Sequence, residues 1–157
     1  MKDFEALEKE LAIKFKNKNL LKEAFTHRSY LNENPEWGGE HNERLEFLGD
    51  AVLELAVTEH LFSDFPEKSE GELTSLRAAL VNSNMLSEIA QDLGLNNYLL
   101  LSRGEAKDLG RARQYILANT FEALVGAIYL DRGYGTASKF IAAKVLSRVR
   151  EVISRKL

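Results

Sequence analysis

The chain has 157 residues, 45% of them hydrophobic, with 24 acidic and 21 basic side chains for a net charge of −3. That suits one domain with a proper core, and no surplus of positive charge signals a polyanionic partner, although carboxylates gathered for metal ions would mask a local basic surface. The absence of cysteine excludes a disulfide framework, a thiolate zinc site and a cysteine nucleophile.

In chain order, the opening MKDFEALEKEL is charged at once and lacks an apolar signal core. Phe4, Leu7, Leu11 and Phe15 recur at helical spacing, predicting a helix over 3–15. Asn19 is placed to cap a second helix over 20–29. Asn32–Glu40 holds a proline, two adjacent glycines and the single tryptophan, so it is a loop. A long helix follows from Asn42 to about Phe62. Helices near 70–80 and from Asn82 or Ser83 to Gly94 come next, then a short extended piece at Tyr98–Leu101 and a polar loop over Ser102–Arg113. Two last helices, 114–131 and 135–155, are separated at Gly133–Gly135. The architecture predicted is all-α, a single-domain helical bundle covering 1–157. The longest apolar run, Tyr115–Leu130, is broken by Asn119 and Glu122 and falls short of the roughly 20 residues of a membrane span. A soluble, cytoplasmic protein without a membrane partner is expected.

The chemistry lies on two of these helices. In Asn42–Val57, Phe47, Leu48, Ala51, Val52, Leu53, Leu55, Ala56 and Val57 set apolar side chains on nearly every side, the pattern of a central helix. Yet Glu43, Glu46 and Asp50 fall along one face of it. From Ile116 to Leu130 the only polar residues are Asn119, Thr120 and Glu122, with Asn119 and Glu122 one turn apart. A single acid on one helix is most simply bonded to backbone or to an arginine such as Arg44. Oxygen donors on two apolar helices can instead be satisfied together by hard cations, Mg²⁺ or Mn²⁺, with waters and phosphate completing the shell. Arg103, Lys107, Arg111 and Arg113 are candidates for phosphate contact, with a merely solvated basic loop as the alternative. His27, His41 and His60 have no HExxH spacing; His27 is expected to hydrogen-bond between helices and Trp37 to pack within its loop.

HNERLEFLGDAVLEL at 41–55 resembles the signature of the ribonuclease III family, and ANTFEALVGAIYLDRG at 118–133 resembles its second acidic motif. THRSY at 26–30 and LRAALV at 76–81 match in type and order. The resemblance spans essentially the whole chain and covers the endonuclease domain of a bacterial-type member, without the double-stranded-RNA-binding domain into which such members continue; low duplex affinity with a steep salt dependence is expected. It implies a homodimeric Mg²⁺-dependent endoribonuclease, with Mn²⁺ as substitute and no organic cofactor, that cleaves double-stranded RNA to 5′-phosphate and 3′-hydroxyl ends, as in rRNA and mRNA precursor processing. Carried over by position, it implies Glu46, Asp50, Asn119 and Glu122 as metal ligands, with Asp50 and Glu122 catalytic. Glu43 becomes an accessory acid at the edge of the valley. Phe47, in isolation an ordinary core residue, becomes an anchor in the dimer interface.

The departure from the family pattern is Asn119, where the motif usually has Asp. An amide oxygen still coordinates Mg²⁺ but brings no charge, and a unit charge at about 4 Å is worth roughly 4 kcal/mol at an effective dielectric near 20. Weaker metal affinity is expected. Two other classes stay open: a weakened or inactive member serving as a double-stranded-RNA-binding or ribonucleoprotein component, and a helical interaction module whose acids are satisfied internally.

Overall fold

Asp3 opens the first helix, its carboxylate accepting from the Ala6 N–H at 3.1 Å, in a computed structural model that describes residues 2–155. Helix α1 (Phe4–Leu11) is shorter than the apolar spacing predicts. Ala12 turns into the left-handed region at φ 58°. The buried carboxylate of Glu8 then accepts from the Phe15 N–H at 2.6 Å and from Lys18 Nζ at 2.6 Å. Phe15 therefore reaches the core from a returning loop rather than from a fourth helical turn. Asp131 holds the same loop, accepting from the backbone N–H groups of Lys16 and Asn17.

Asn17, not Asn19, caps α2 (Lys18–Ala24), accepting from the N–H groups of Asn19 and Leu20. The helix expected over 20–29 is divided after Ala24 because Thr26 forms a parallel bridge with Leu100, from the segment predicted to be extended. Leu100 donates its N–H to Phe25 O at 2.9 Å and accepts from His27 N–H at 3.0 Å. The chain restarts as α3 (Arg28–Glu33) with His27 as its cap. The loop that follows contains one 3-10 turn at Pro35–Trp37, where Trp37 meets Tyr30 edge to face at 5.5 Å.

Helices α4 (Glu43–Asp64) and α8 (Arg111–Lys144) pack on each other more extensively than any other pair. Around them lie α5 (Glu70–Val81), opened by a capping box between Ser69 and Glu72, and α6 (Ser83–Asp92), capped by Asn82. The polar segment after Leu101 is not all loop: it forms α7 (Arg103–Lys107) before α8 begins. Gly133, at φ 86° and ψ 173°, breaks the helical geometry inside α8, at the boundary predicted between the two last helices. A 3-10 turn then leads to α9 (Val149–Arg155). Among the described residues the fold is all-α, with no strand beyond the isolated bridge.

The core runs along α8, where Leu117, Phe121, Leu124, Val125 and Ile128 are fully buried, and takes in Leu53, Ala56, Val57 and Leu61 of α4. The reading of α4 as apolar and covered nearly all round needs correction. Phe47 is 83% exposed, Leu55 53% and Phe62 74%, and Ala51 between them is also exposed. These positions follow one another at helical spacing, so one whole face of the helix lacks a cover within the chain.

Candidate metal centre at the crossing of α4 and α8

Where α4 and α8 cross, an open cavity of about 520 Å³ is lined by Glu43, Glu46 and Asp50 from α4 and by Asn119 and Glu122 from α8. His27, Asn42, Phe47 and Ile116 complete its wall. All four residues expected as metal ligands, and the accessory Glu43, therefore face one space. A second cavity of about 530 Å³ between α5, α6, α8 and α9 has a mixed wall that includes four amides, with Glu88 its one acid; it lacks a comparable group of oxygen anions.

The carboxylates of the first cavity are short of positive charge. Among the described residues neither Glu46, Asp50 nor Glu122 forms an ion pair with lysine or arginine. Arg44, the alternative partner, is exposed and acts on Glu23 instead. Only Glu43 is paired, to Arg28 at 3.4 Å, an exposed contact worth no more than about 1 kcal/mol. Burial pushes the Glu122 carboxyl up to about 8, helped by a hydrogen bond to Asp50 and by the charges of Asp50 and Glu46. Glu46 is raised too, first by burial and then by Glu43 and Asp50. No nearby cation offsets either shift.

These side chains ring the cavity rather than meeting at one point: among the described residues no three His, Asp or Glu close tightly enough to grip an ion unaided. The donor set nevertheless fits a hard divalent cation. Three carboxylates and one amide supply only oxygen, from two rigid helices, facing a cavity open enough for waters and a phosphate.

Two polar residues of the wall, His27 and Asn42, were not singled out for the site by sequence reasoning. His27 was expected to hydrogen-bond between helices; instead its side chain caps its own helix, Nδ1 accepting from the Ser29 N–H at 3.2 Å and lying 2.7 Å from Ser29 Oγ. With Nδ1 engaged, Nε2 is the nitrogen left to carry a proton. Burial lowers the ring's pKa, which favours the neutral form. Asn42 is buried and donates to Ala24 O at 3.0 Å, tying the start of α4 to α2. The THRSY and HNERLEFLGD motifs contained both residues, but nothing in their spacing says that α3 and α4 meet at a shared wall.

The basic cluster divides. Arg113 is buried: its guanidinium donates to Asn96 Oδ1 at 2.7 Å and to the carbonyls of Glu105 and Ala106 at 3.1 Å. It cannot reach a phosphate, so its expected role in RNA contact is corrected to that of an anchor for α7. Arg103, Lys107 and Arg111 are exposed. Helix α7 sits beside His27, with Ser102 N–H donating to Ser29 Oγ at 3.0 Å and Arg103 N–H to Glu33 Oε1 at 3.1 Å.

The chain is similar to known proteins along most of its length. The chain is 50% identical over 145 residues to ribonuclease 3 of Oleidesulfovibrio alaskensis, covering 92% of this chain and 63% of that protein. It is 48% identical over 148 residues to ribonuclease 3 of Bacillus cytotoxicus, covering 94% of this chain and 60% of that one. It thus spans less than two thirds of the length of these curated relatives. The nuclease domain of ribonuclease III from Campylobacter jejuni, described as flexible in a region involved in dimer formation, superposes with a TM-score of 0.83 at 41% identity over 92% of this chain and 97% of that one. Residues 17–149, which hold the whole wall of the cavity, match the ribonuclease-III-like family model, and the chain belongs to that family.

Proposed function

We propose that residues 1–157 form the catalytic domain of a ribonuclease III, an endonuclease that hydrolyses double-stranded RNA with Mg²⁺, or Mn²⁺ in its place, to 5′-phosphate and 3′-hydroxyl ends. The observation that carries this reading is the set of Glu46, Asp50 and Glu122 around one open cavity without a cationic side chain paired to any of them. Carboxyls collected on two core helices with no cation beside them are costly to ionise where they are half-buried, as Glu46 and Glu122 are, and a divalent ion shared among them would offset that cost.

In this reading Glu46, Asp50, Asn119 and Glu122 hold the metal, and Asp50 and Glu122 stand closest to the chemistry. A divalent ion bound there would neutralise charge on the phosphate and lower the pKa of an attacking water. With an ion bound there, Glu122 would release its proton to solvent and act as an anionic ligand. His27 presents Nε2 to the cavity as a neutral donor, and Asn42 keeps the start of α4 in place. Glu43 stands accessory at the rim, held by Arg28. Arg103, Lys107 and Arg111 contact phosphates of the duplex, whose recognition rests on A-form shape and 2′-hydroxyls rather than on base sequence. The exposed row of Phe47, Ala51, Leu55 and Phe62 pairs with a second copy in a homodimer, setting two cavities across a twofold axis. Processing of rRNA or mRNA precursors in the cytoplasm follows from such an activity.

Incubation of labelled duplex RNA with the protein and Mg²⁺, beside Glu122→Gln, tests the reading. Cleavage lost in the variant is expected. Duplex binding without cleavage by the unmodified protein would replace the nuclease with an RNA-binding component, the role that Asn119 in the ligand set would favour. Neither binding nor cleavage would leave a helical interaction module.

A further inference from the structure

Two glycines sit where the helices cross. Gly49, beside Asp50 and one turn after Glu46, lies so near α8 that a methyl group on its Cα would stand 1.7 Å from the carbonyl oxygen of Glu122. Gly126, one turn after Glu122, returns the contact: a methyl there would stand 2.4 Å from the carbonyl oxygen of Leu45 and 3.1 Å from Gly49 N. All of these obstacles are backbone atoms, which cannot swing aside as a side-chain tip can. Backbone conformation does not demand glycine at either place, since the glycines with positive φ are Gly38, Gly94 and Gly133. Glycine inside a helix also destabilises it relative to alanine. Space between the helices is the remaining reason.

What each glycine touches is the frame of the site. The carbonyl against Gly49 belongs to Glu122, and the one against Gly126 belongs to Leu45, the neighbour of Glu46. Helices with ordinary side chains at their contact sit about 8–10 Å apart; two glycines facing each other's carbonyls permit a closer crossing, with α-hydrogens in weak contact with oxygen. We infer that Gly49 and Gly126 are positioning residues of the metal centre, their reciprocal backbone contact setting the distance across which Glu46 and Asp50 face Asn119 and Glu122. Magnesium is held at about 2.0–2.1 Å with little tolerance, so a crossing widened by one methyl group leaves one pair of ligands out of reach. The inference rests on the metal-centre reading above.

The test is Mn²⁺ binding by calorimetry without RNA, with thermal melts alongside, for the unmodified chain, Gly49→Ala, Gly126→Ala and Leu61→Ala. Leu61 is 1% exposed on the same helix, three turns beyond Asp50, so its truncation lowers stability without touching the crossing. Both glycine variants are expected to fold and to bind Mn²⁺ about tenfold or more weakly, while Leu61→Ala binds as the unmodified chain does. If the unmodified chain takes up no Mn²⁺, the metal-centre reading fails and this inference with it. If it binds, and folded Gly126→Ala stays within about twofold of it, only the positioning role is overturned. Failure of both glycine variants to fold would equally overturn it, since the contact would then serve the whole fold rather than the site.

Discussion

The carboxyl of Glu122 on α8 faces Asp50 on α4 across one cavity, and burial, reinforced by Asp50, lifts its pKa from 4.5 to about 8. Between those two values the folded protein keeps a proton that the unfolded chain has lost. Stability from this group is therefore fully present below about pH 4.5 and is lost as pH rises through about 8. In buffer free of divalent ions, the melting temperature of Glu122→Gln should fall less between about pH 5 and 8 than that of the unmodified protein. Added Mg²⁺ should raise the unmodified melting temperature more at the upper end of this range, where no proton has to leave. Parallel slopes for the two proteins in thermal melts across the series would contradict the assignment.

Asn119→Asp adds a fourth carboxylate to the proposed ligand set of Glu46, Asp50 and Glu122. The added Coulomb attraction for a divalent ion is partly offset by repulsion from Glu46, Asp50 and Glu122, leaving an expected drop of roughly tenfold in the Mg²⁺ concentration that half-saturates the protein. Titration of Mg²⁺ against cleavage rate and against melting temperature measures it twice. An unchanged requirement in both would mean that position 119 does not touch the ion.

The buried and the exposed basic residues around α7 should separate cleanly. Arg113→Ala leaves Asn96 and the carbonyls of Glu105 and Ala106 without their donor, an expected loss of about 2–3 kcal/mol in urea unfolding. Arg103→Ala and Lys107→Ala should change stability by less than about 0.5 kcal/mol. They should instead weaken duplex RNA binding and lower its salt slope by about 1 each. Equal effects of all three on stability would show that α7 is held differently.

Phe47 is 83% exposed in the single chain, so truncating it removes nothing from that chain's own core. Phe47→Ala should weaken self-association by about 2 kcal/mol or more if the ring is buried centrally in a homodimer. Sedimentation velocity over a concentration series reads this directly. A dimer of unchanged affinity, or a chain monomeric at every concentration, would remove the exposed row of α4 from the interface.

Much of this protein was legible locally. The helix start near 70, the cap at Asn82 and the break at Gly133 are each decided within a few residues, by hydrogen bonds and backbone freedom that the neighbours supply. The acids on α4 and α8 were legible for a related reason: helical spacing alone aligns Glu43, Glu46 and Asp50, and places Asn119 one turn from Glu122. The missed boundaries depend on distant partners. Helix α1 stops at Leu11 as the Glu8 carboxylate draws back Phe15, and the segment 20–29 divides because Leu100 bridges to Thr26.

The amino-acid order by itself determined an all-helical chain with oxygen donors on two apolar helices, because caps, breaks and periodicity act over one or two turns. Only the tertiary structure decided that those donors share a cavity, that Arg113 turns inward and that Phe47, Leu55 and Phe62 turn out. An apolar or charged side chain has the same identity whether it faces its own core, a solvent face or a partner; the packing of α4 against α8 is what chooses among them.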